Sequence, residues 1–139
     1  MERRNIMNHS TETNQKNKEK CKKIQELSPR IRYAGMINNY GRTIAGHLRK
    51  GVVPLFDTDE AINDHFIEAT RIKLRKALAP AVGNTIYSLT EHEKVIMLTI
   101  PTSWGIYTLT IDKETVFTEI KDLIDRIQGM ITSLESRPN

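Results

Sequence analysis

Val95-Ile96-Met97-Leu98-Thr99-Ile100 runs into Pro101-Thr102-Ser103-Trp104-Gly105 and then Ile106-Tyr107-Thr108-Leu109-Thr110-Ile111. Two short segments rich in β-branched and aromatic residues, divided by a Pro- and Gly-containing turn, predict two antiparallel strands. The first is apolar almost without interruption, which is the pattern of a central strand covered on both faces. Upstream, Thr85-Ile86-Tyr87-Ser88-Leu89 and the polar turn Thr90-Glu91-His92-Glu93 add another strand. Together these segments predict a three-stranded meander.

A second β unit precedes it. Arg30 to Ile37 is β-prone, and Asn38-Asn39-Tyr40-Gly41 is a turn-forming cluster leading into Arg42 to Leu48, so a hairpin is expected. Alternation puts Tyr33, Gly35 and Ile37 on one face and Ala34 and Met36 on the other, leaving neither face plainly wet. Both sides of the sheet should therefore be covered.

Three helices supply the cover. Cys21, Ile24 and Leu27 recur at helical spacing from Glu19 to Leu27, before Ser28-Pro29 stops the pattern. After the loop Gly51 to Phe56, Asp57 with Glu60 three residues later matches a capping box. It opens a long central helix with a broad stripe of Ile62, Phe66, Ile67, Thr70, Leu74, Ala77 and Leu78, ended or kinked at Pro80 and Gly83. Val116, Ile120, Leu123, Ile127, Met130 or Ile131, and Leu134 trace the last helix. The reading is α+β, a five-stranded antiparallel sheet in the order α-β-β-α-β-β-β-α. Residues 1–18 are too polar to repay ordering and are expected to form a disordered basic arm. Residues 19–135 form one domain, and 136–139 a frayed end.

This order, with Arg30 to Gly46 around the Asn38-Asn39-Tyr40-Gly41 turn and Val95 to Ile111 around Ser103-Trp104-Gly105, resembles the roadblock/dynein light chain family. That family is related in fold to longin and profilin-like domains, and the chain looks like its small archaeal members of unassigned function. The resemblance implies a non-enzymatic module that homodimerises through the central helix and the third strand. It also implies a platform for small Ras-like GTPases or a larger signalling assembly. Carried onto this chain, the dimer or partner surface would comprise Phe66, Thr70, Lys73, Leu74 and Ala77 of the helix, with Thr85 and Tyr87 of the strand. The Leu48 to Asp57 connection and the basic arm depart from the family pattern.

Composition narrows the remaining classes. With 139 residues the chain suits one domain, and no stretch approaches the roughly 20 apolar residues of a membrane-spanning helix. One cysteine, Cys21, excludes an intrachain disulfide and fits a reducing, cytoplasmic setting, where it reads as a small apolar residue of the first helix. Residues 1–32 carry nine Lys or Arg against four Glu, so the net charge of +4 resides in the arm and the folded body is nearly neutral. Lys16, Lys18, Lys20, Lys22 and Lys23 form a candidate anion-binding arm, for nucleic acid or an anionic membrane, or else simply a solvated one. Arg71, Lys73, Arg75 and Lys76 raise the same question on the central helix.

No catalytic constellation assembles. Ser103 belongs to a turn and not a nucleophile elbow. His47, His65 and His92 lack metal-ligand spacing, and Gly41 and Gly46 are too isolated for a phosphate loop. The expectation is therefore no enzyme, no cofactor and no metal. A small-molecule sensor is a third reading, with a pocket between sheet and helices lined by Tyr33, Met36, Trp104 and Tyr107.

Overall fold

The structure, a computed structural model, describes the backbone of residues 2–135 and the side chains of residues 12–135. In chain order the elements are α1 (Glu2–Gln25), β1 (Ile31–Ile37), β2 (Thr43–Leu48), α2 (Thr58–Arg75), a 3-10 turn (Lys76–Leu78), the single-turn α3 (Ala79–Val82), β3 (Ser88–Glu91), β4 (Val95–Pro101), β5 (Ile106–Asp112) and α4 (Phe117–Glu135). The strands pair antiparallel throughout, in the spatial order β2-β1-β5-β4-β3. Hairpin and meander join where β1 lies against β5, Met36 opposite Tyr107 and Ile37 opposite Ile106.

The two faces of the sheet are closed differently. On one, Ala34, Met36, Ile96, Leu98, Ile100, Leu109 and Ile111 form a continuous apolar core with Cys21 and Ile24 of α1 and Ile120, Leu123, Ile127 and Ile131 of α4. Each Leu or Ile so buried contributes about 1.5–3 kcal/mol. On the other face a small cluster of Ile37 and Ile106 meets Ala69 and Ile72 of α2. Polar anchors supplement it: Thr43 Oγ1 and His65 Nδ1 are 2.9 Å apart, and Thr99 Oγ1 donates to Glu68 Oε2 at 2.9 Å. Both faces are covered, as the apolar run of β4 requires.

Two glycine devices position α2 and its surroundings. Gly41 closes the β1–β2 turn at φ +85°, and a Cβ there would lie 2.8 Å from the His65 carbonyl oxygen and from Phe66 Cα. Only a glycine lets the hairpin and the helix backbone approach this closely. Gly35 and Gly46 face each other across β1 and β2, and a Cβ on either would lie within 2.8 Å of Tyr33 ring carbons. The glycine pair is thus the floor on which the Tyr33 ring lies.

Several boundaries differ from the sequence reading. α1 begins at Glu2, not at Glu19, and carries the lysine segment into the helix; inward burial starts only near Cys21. The expected frayed end, 136–139, lies outside the described residues. The third strand is not Thr85–Leu89 but Ser88–Glu91, with Thr90 and Glu91, read as turn, paired to Met97 and Ile96. Ile86 and Tyr87 have strand propensity, but the 3-10 turn and α3 carry the chain past the sheet edge, and pairing begins only opposite Thr99. The capping box is present as read: Asp57 Oδ1 accepts from Glu60 N at 2.8 Å, and Glu60 Oε1 accepts from Asp57 N at 3.0 Å.

The Tyr33 floor gives a direct test. Gly46→Ala should cost about 1–3 kcal/mol in urea unfolding through overpacking. In a Tyr33→Ala background, where the ring is gone, the same substitution should cost less than about 1 kcal/mol, because the collision has been removed.

Candidate functional site

α2 is held to the sheet by His65, Glu68, Ala69 and Ile72, its buried residues. At 100° per residue this inward set leaves Phe66, Ile67, Thr70 and Leu74 more than 100° away, on the outer side of the helix. The apolar stripe expected from the sequence therefore faces outward: Phe66 is 61% exposed and Leu74 68%, with Ile62, Ile67 and Leu78 also uncovered. Of the residues carried over from the resemblance, Lys73 and Ala77 are exposed too, Thr70 and Thr85 are half-buried, and Tyr87 is 43% exposed. The surface is wider than that set, because Val82 and Ile86 continue it toward β3, the edge strand. The apolar run Ala77-Leu78-Ala79-Pro80-Ala81-Val82, resumed at Ile86 and Tyr87, was the signal for this extension. Isolated exposed apolar residues are ordinary, but a contiguous patch marks an interaction surface.

Beneath the amino-terminal half of α2 the sheet is not filled. A cavity of about 670 Å3 opens between the helix, the 49–57 connection, the β3–β4 turn and the sheet. Leu48, Val95 and Met97 form apolar walls, the Tyr33 ring and Phe56 line it as well, and Asp64 and Glu68 reach it from the helix. Tyr33 alone matches the expected pocket. Met36 and Tyr107 belong to the core on the opposite face, because strand alternation turns them away, and Trp104 lies on the exposed β4–β5 turn. The Tyr107 hydroxyl donates to Glu135 Oε1 at 3.0 Å.

The electrostatics of this site are asymmetric. Glu68 is buried, bonded by Thr99, and lies 3.4 Å from Arg71. Asp64 has no hydrogen-bond or ion-pair partner among the described residues; desolvation and then the Glu68 charge push its carboxyl up to about 6, and His92 on the β3–β4 turn lowers it only in part. Desolvation lowers His65 below its ordinary value and raises the Tyr33 phenol to about 12. Of the cationic groups at the cavity, Arg32 is engaged by Asp112 at 3.6 Å and by the Val53 carbonyl at 3.1 Å, and Lys94 is exposed.

The other candidates are dispersed. Cys21 is fully buried and desolvation raises its thiol to about 12, the behaviour of a packed apolar side chain. In the β4–β5 turn it is Thr102 Oγ1, not Ser103, that accepts from Trp104 N and Gly105 N, both at 3.1 Å. Among the described residues no group of three or more His, Cys, Asp or Glu could hold a metal, and no helix is long and apolar enough to cross a membrane. The helical course of α1 splits the lysines: Lys16, Lys20 and Lys23 share one side, and Lys18 and Lys22 another.

Asp64 makes stability depend on pH. Its folded-state pKa, about 6, exceeds the ordinary 3.8, so its contribution is fully present below pH 3.8 and is lost as pH rises through 6. Melting temperatures measured across that window should fall with rising pH, and Asp64→Asn should flatten the decline and melt higher than the parent at neutral pH.

No family model matches the sequence, and no curated protein is significantly similar to it. Solved structures do match in fold. A roadblock/LC7 domain from Streptomyces avermitilis is 11% identical at a TM-score of 0.66, covering 85% of this chain and 93% of that one. The gliding protein MglB from Thermus thermophilus is 16% identical at 0.66, covering 85% and 90%. An MglB solved in a tetrameric arrangement is 15% identical at 0.66, covering 85% and 89%. Five antiparallel strands in this order, helices on both faces and these neighbours together show that the chain has an α+β fold of the roadblock/LC7 kind.

Proposed function

We propose that this chain is a non-enzymatic, cytoplasmic regulatory or scaffold module of roadblock type that works as a homodimer and serves as a platform for a further protein, a small Ras-like GTPase being the class the family resemblance implies. The observation that carries the reading is the outward apolar face of α2, continuous through Val82 and Ile86 with the β3 edge. A monomer would leave that face wet and the edge strand unpaired, which is costly and prone to non-specific pairing. A second copy covers both, since an isologous interface needs a patch complementary to itself.

The charges on α2 support that occupant. Its first turn is acidic, with Asp59 and Glu60, and its last is basic, with Lys73 and Arg75. Two such helices packed antiparallel about a twofold axis place each acidic end beside the partner's basic end. That a protein of this fold has been solved in a tetrameric arrangement supports self-association as a use of the fold.

Light scattering at micromolar concentration should give twice the chain mass of 16.0 kDa at low and high salt alike. Phe66→Glu combined with Leu74→Glu should give the single-chain mass with an unchanged circular dichroism spectrum. Loss of such central anchors costs about 2 kcal/mol or more each, roughly a 30-fold weakening. A parent that stays monomeric, or a double variant that stays dimeric, would remove the basis of the reading.

A further inference from the structure

The cavity under α2 differs from the dimer face in chemistry and in direction, so the homodimer reading does not account for it. Its volume, about 670 Å3, is that of a small-molecule site. The apolar walls described above can take a hydrophobic body, and Tyr33 and Phe56 offer aromatic faces. Two features point further, to an absent polar guest. Thr108 lines the cavity from β5, is only 5% exposed, and its hydroxyl has no hydrogen-bond partner. Its cross-strand neighbour Thr99 is, by contrast, satisfied by Glu68. Buried hydroxyls are rarely left unpaired, because the desolvation then goes uncompensated.

The second feature is the sign of the charge. Glu60 is consumed by the capping box and Glu68 by Thr99 and Arg71, but the Asp64 carboxylate at the cavity has no hydrogen-bond or ion-pair partner among the described residues. Arg32 is committed to Asp112 and to the Val53 carbonyl, so it cannot turn inward without breaking those bonds. On the exposed β3–β4 turn at the cavity mouth, Glu93 adds negative charge and His92 and Lys94 positive charge, so within the cavity it is Asp64 that sets the sign. A guest that is apolar over most of its surface and cationic at one end satisfies every part of this lining.

We infer that the cavity between α2, the 49–57 connection and the sheet binds an amphipathic organic cation, an aromatic or aliphatic body bearing one ammonium group, with the ammonium at Asp64 and a polar atom at the Thr108 hydroxyl. The 49–57 connection, which carries Pro54, Leu55 and Phe56, forms the outer wall of this site.

The test uses three indoles that differ only in the end group: tryptamine, tryptophol and indole-3-propionic acid. Each is titrated to millimolar concentration into the full-length, isotopically labelled protein and followed by amide NMR shifts. Tryptamine should shift the amides of Asp64, Val95 and Thr108, and bind about tenfold or more tighter than neutral tryptophol, while the acid is excluded by the local charge. Asp64→Asn, its fold verified in the same spectra, should reduce the amine preference to about threefold or less, and Thr108→Val should weaken tryptamine by about 2- to 10-fold. Equal binding of tryptamine and tryptophol, an amine preference that survives Asp64→Asn, shifts confined to the outer face of α2, or no shift with any of the three would each overturn the assignment. Because the dimer is read by mass and this site by ligand charge, either reading can fail without the other.

Discussion

The close approach of Gly41 to the backbone at His65 and Phe66 is the constraint on which the upper layer of this molecule depends. A side chain there would meet helix backbone, which has no rotamer by which to give way. The contact therefore sets where α2 crosses the hairpin. The same local register brings His65 to Thr43 and, one turn on, Glu68 to Thr99. Ala69 and Ile72 then reach Ile37 and Ile106, completing the small apolar cluster. With the helix pinned at its middle, its carboxy-terminal half rests on the inner strands β1 and β5. Its amino-terminal half stands over the glycine-floored Tyr33 ring and the cavity beside it.

The two layers consequently do different work. α1 and α4 close their face with Ile, Leu and Cys at full burial, which supplies most of the hydrophobic stabilisation. α2 uses its inward face largely for polar contacts, including a buried carboxylate and a buried histidine, and displays its apolar residues to solvent. That inversion of the usual amphipathic arrangement has a physical meaning. A helix with its hydrophobic face outward is incompletely folded until something covers it, and a helix with acidic groups inward leaves an uncompensated charge beneath it. In the proposed readings, self-association answers the first condition and a cationic guest the second.

Much of this was legible in residues alone. The apolar run of β4 required two covered faces, Asn38 to Gly41 required a tight turn, and Asp57 with Glu60 required a helix start at that point. Each of these depends on contacts between residues close in sequence, or on a period that the chain itself displays. β3 was misplaced because Ile86 and Tyr87 have strand propensity, yet the strand's extent is set by where its partner ends, and that partner lies across a turn. α1 was drawn short for a related reason: apolar spacing marks only the part of a helix that packs, not the polar part beyond it.

Amino-acid order by itself determined the strand and helix types, their succession, the turn chemistry and the segregation of charge, because propensity, periodicity and capping act over a few residues. What tertiary structure alone decided was direction. The stripe on α2 had the same spacing whether it faced the sheet or solvent, and only the docking at Gly41, His65 and Glu68 chose between them. Met36, Trp104 and Tyr107 were as apt as Tyr33 for a pocket until strand alternation and the layer order sent them elsewhere. Asp64 and Thr108 gave no signal at all, since an unmatched carboxylate and an unpaired hydroxyl are defined by what surrounds them, and those neighbours come from elements far apart along the chain.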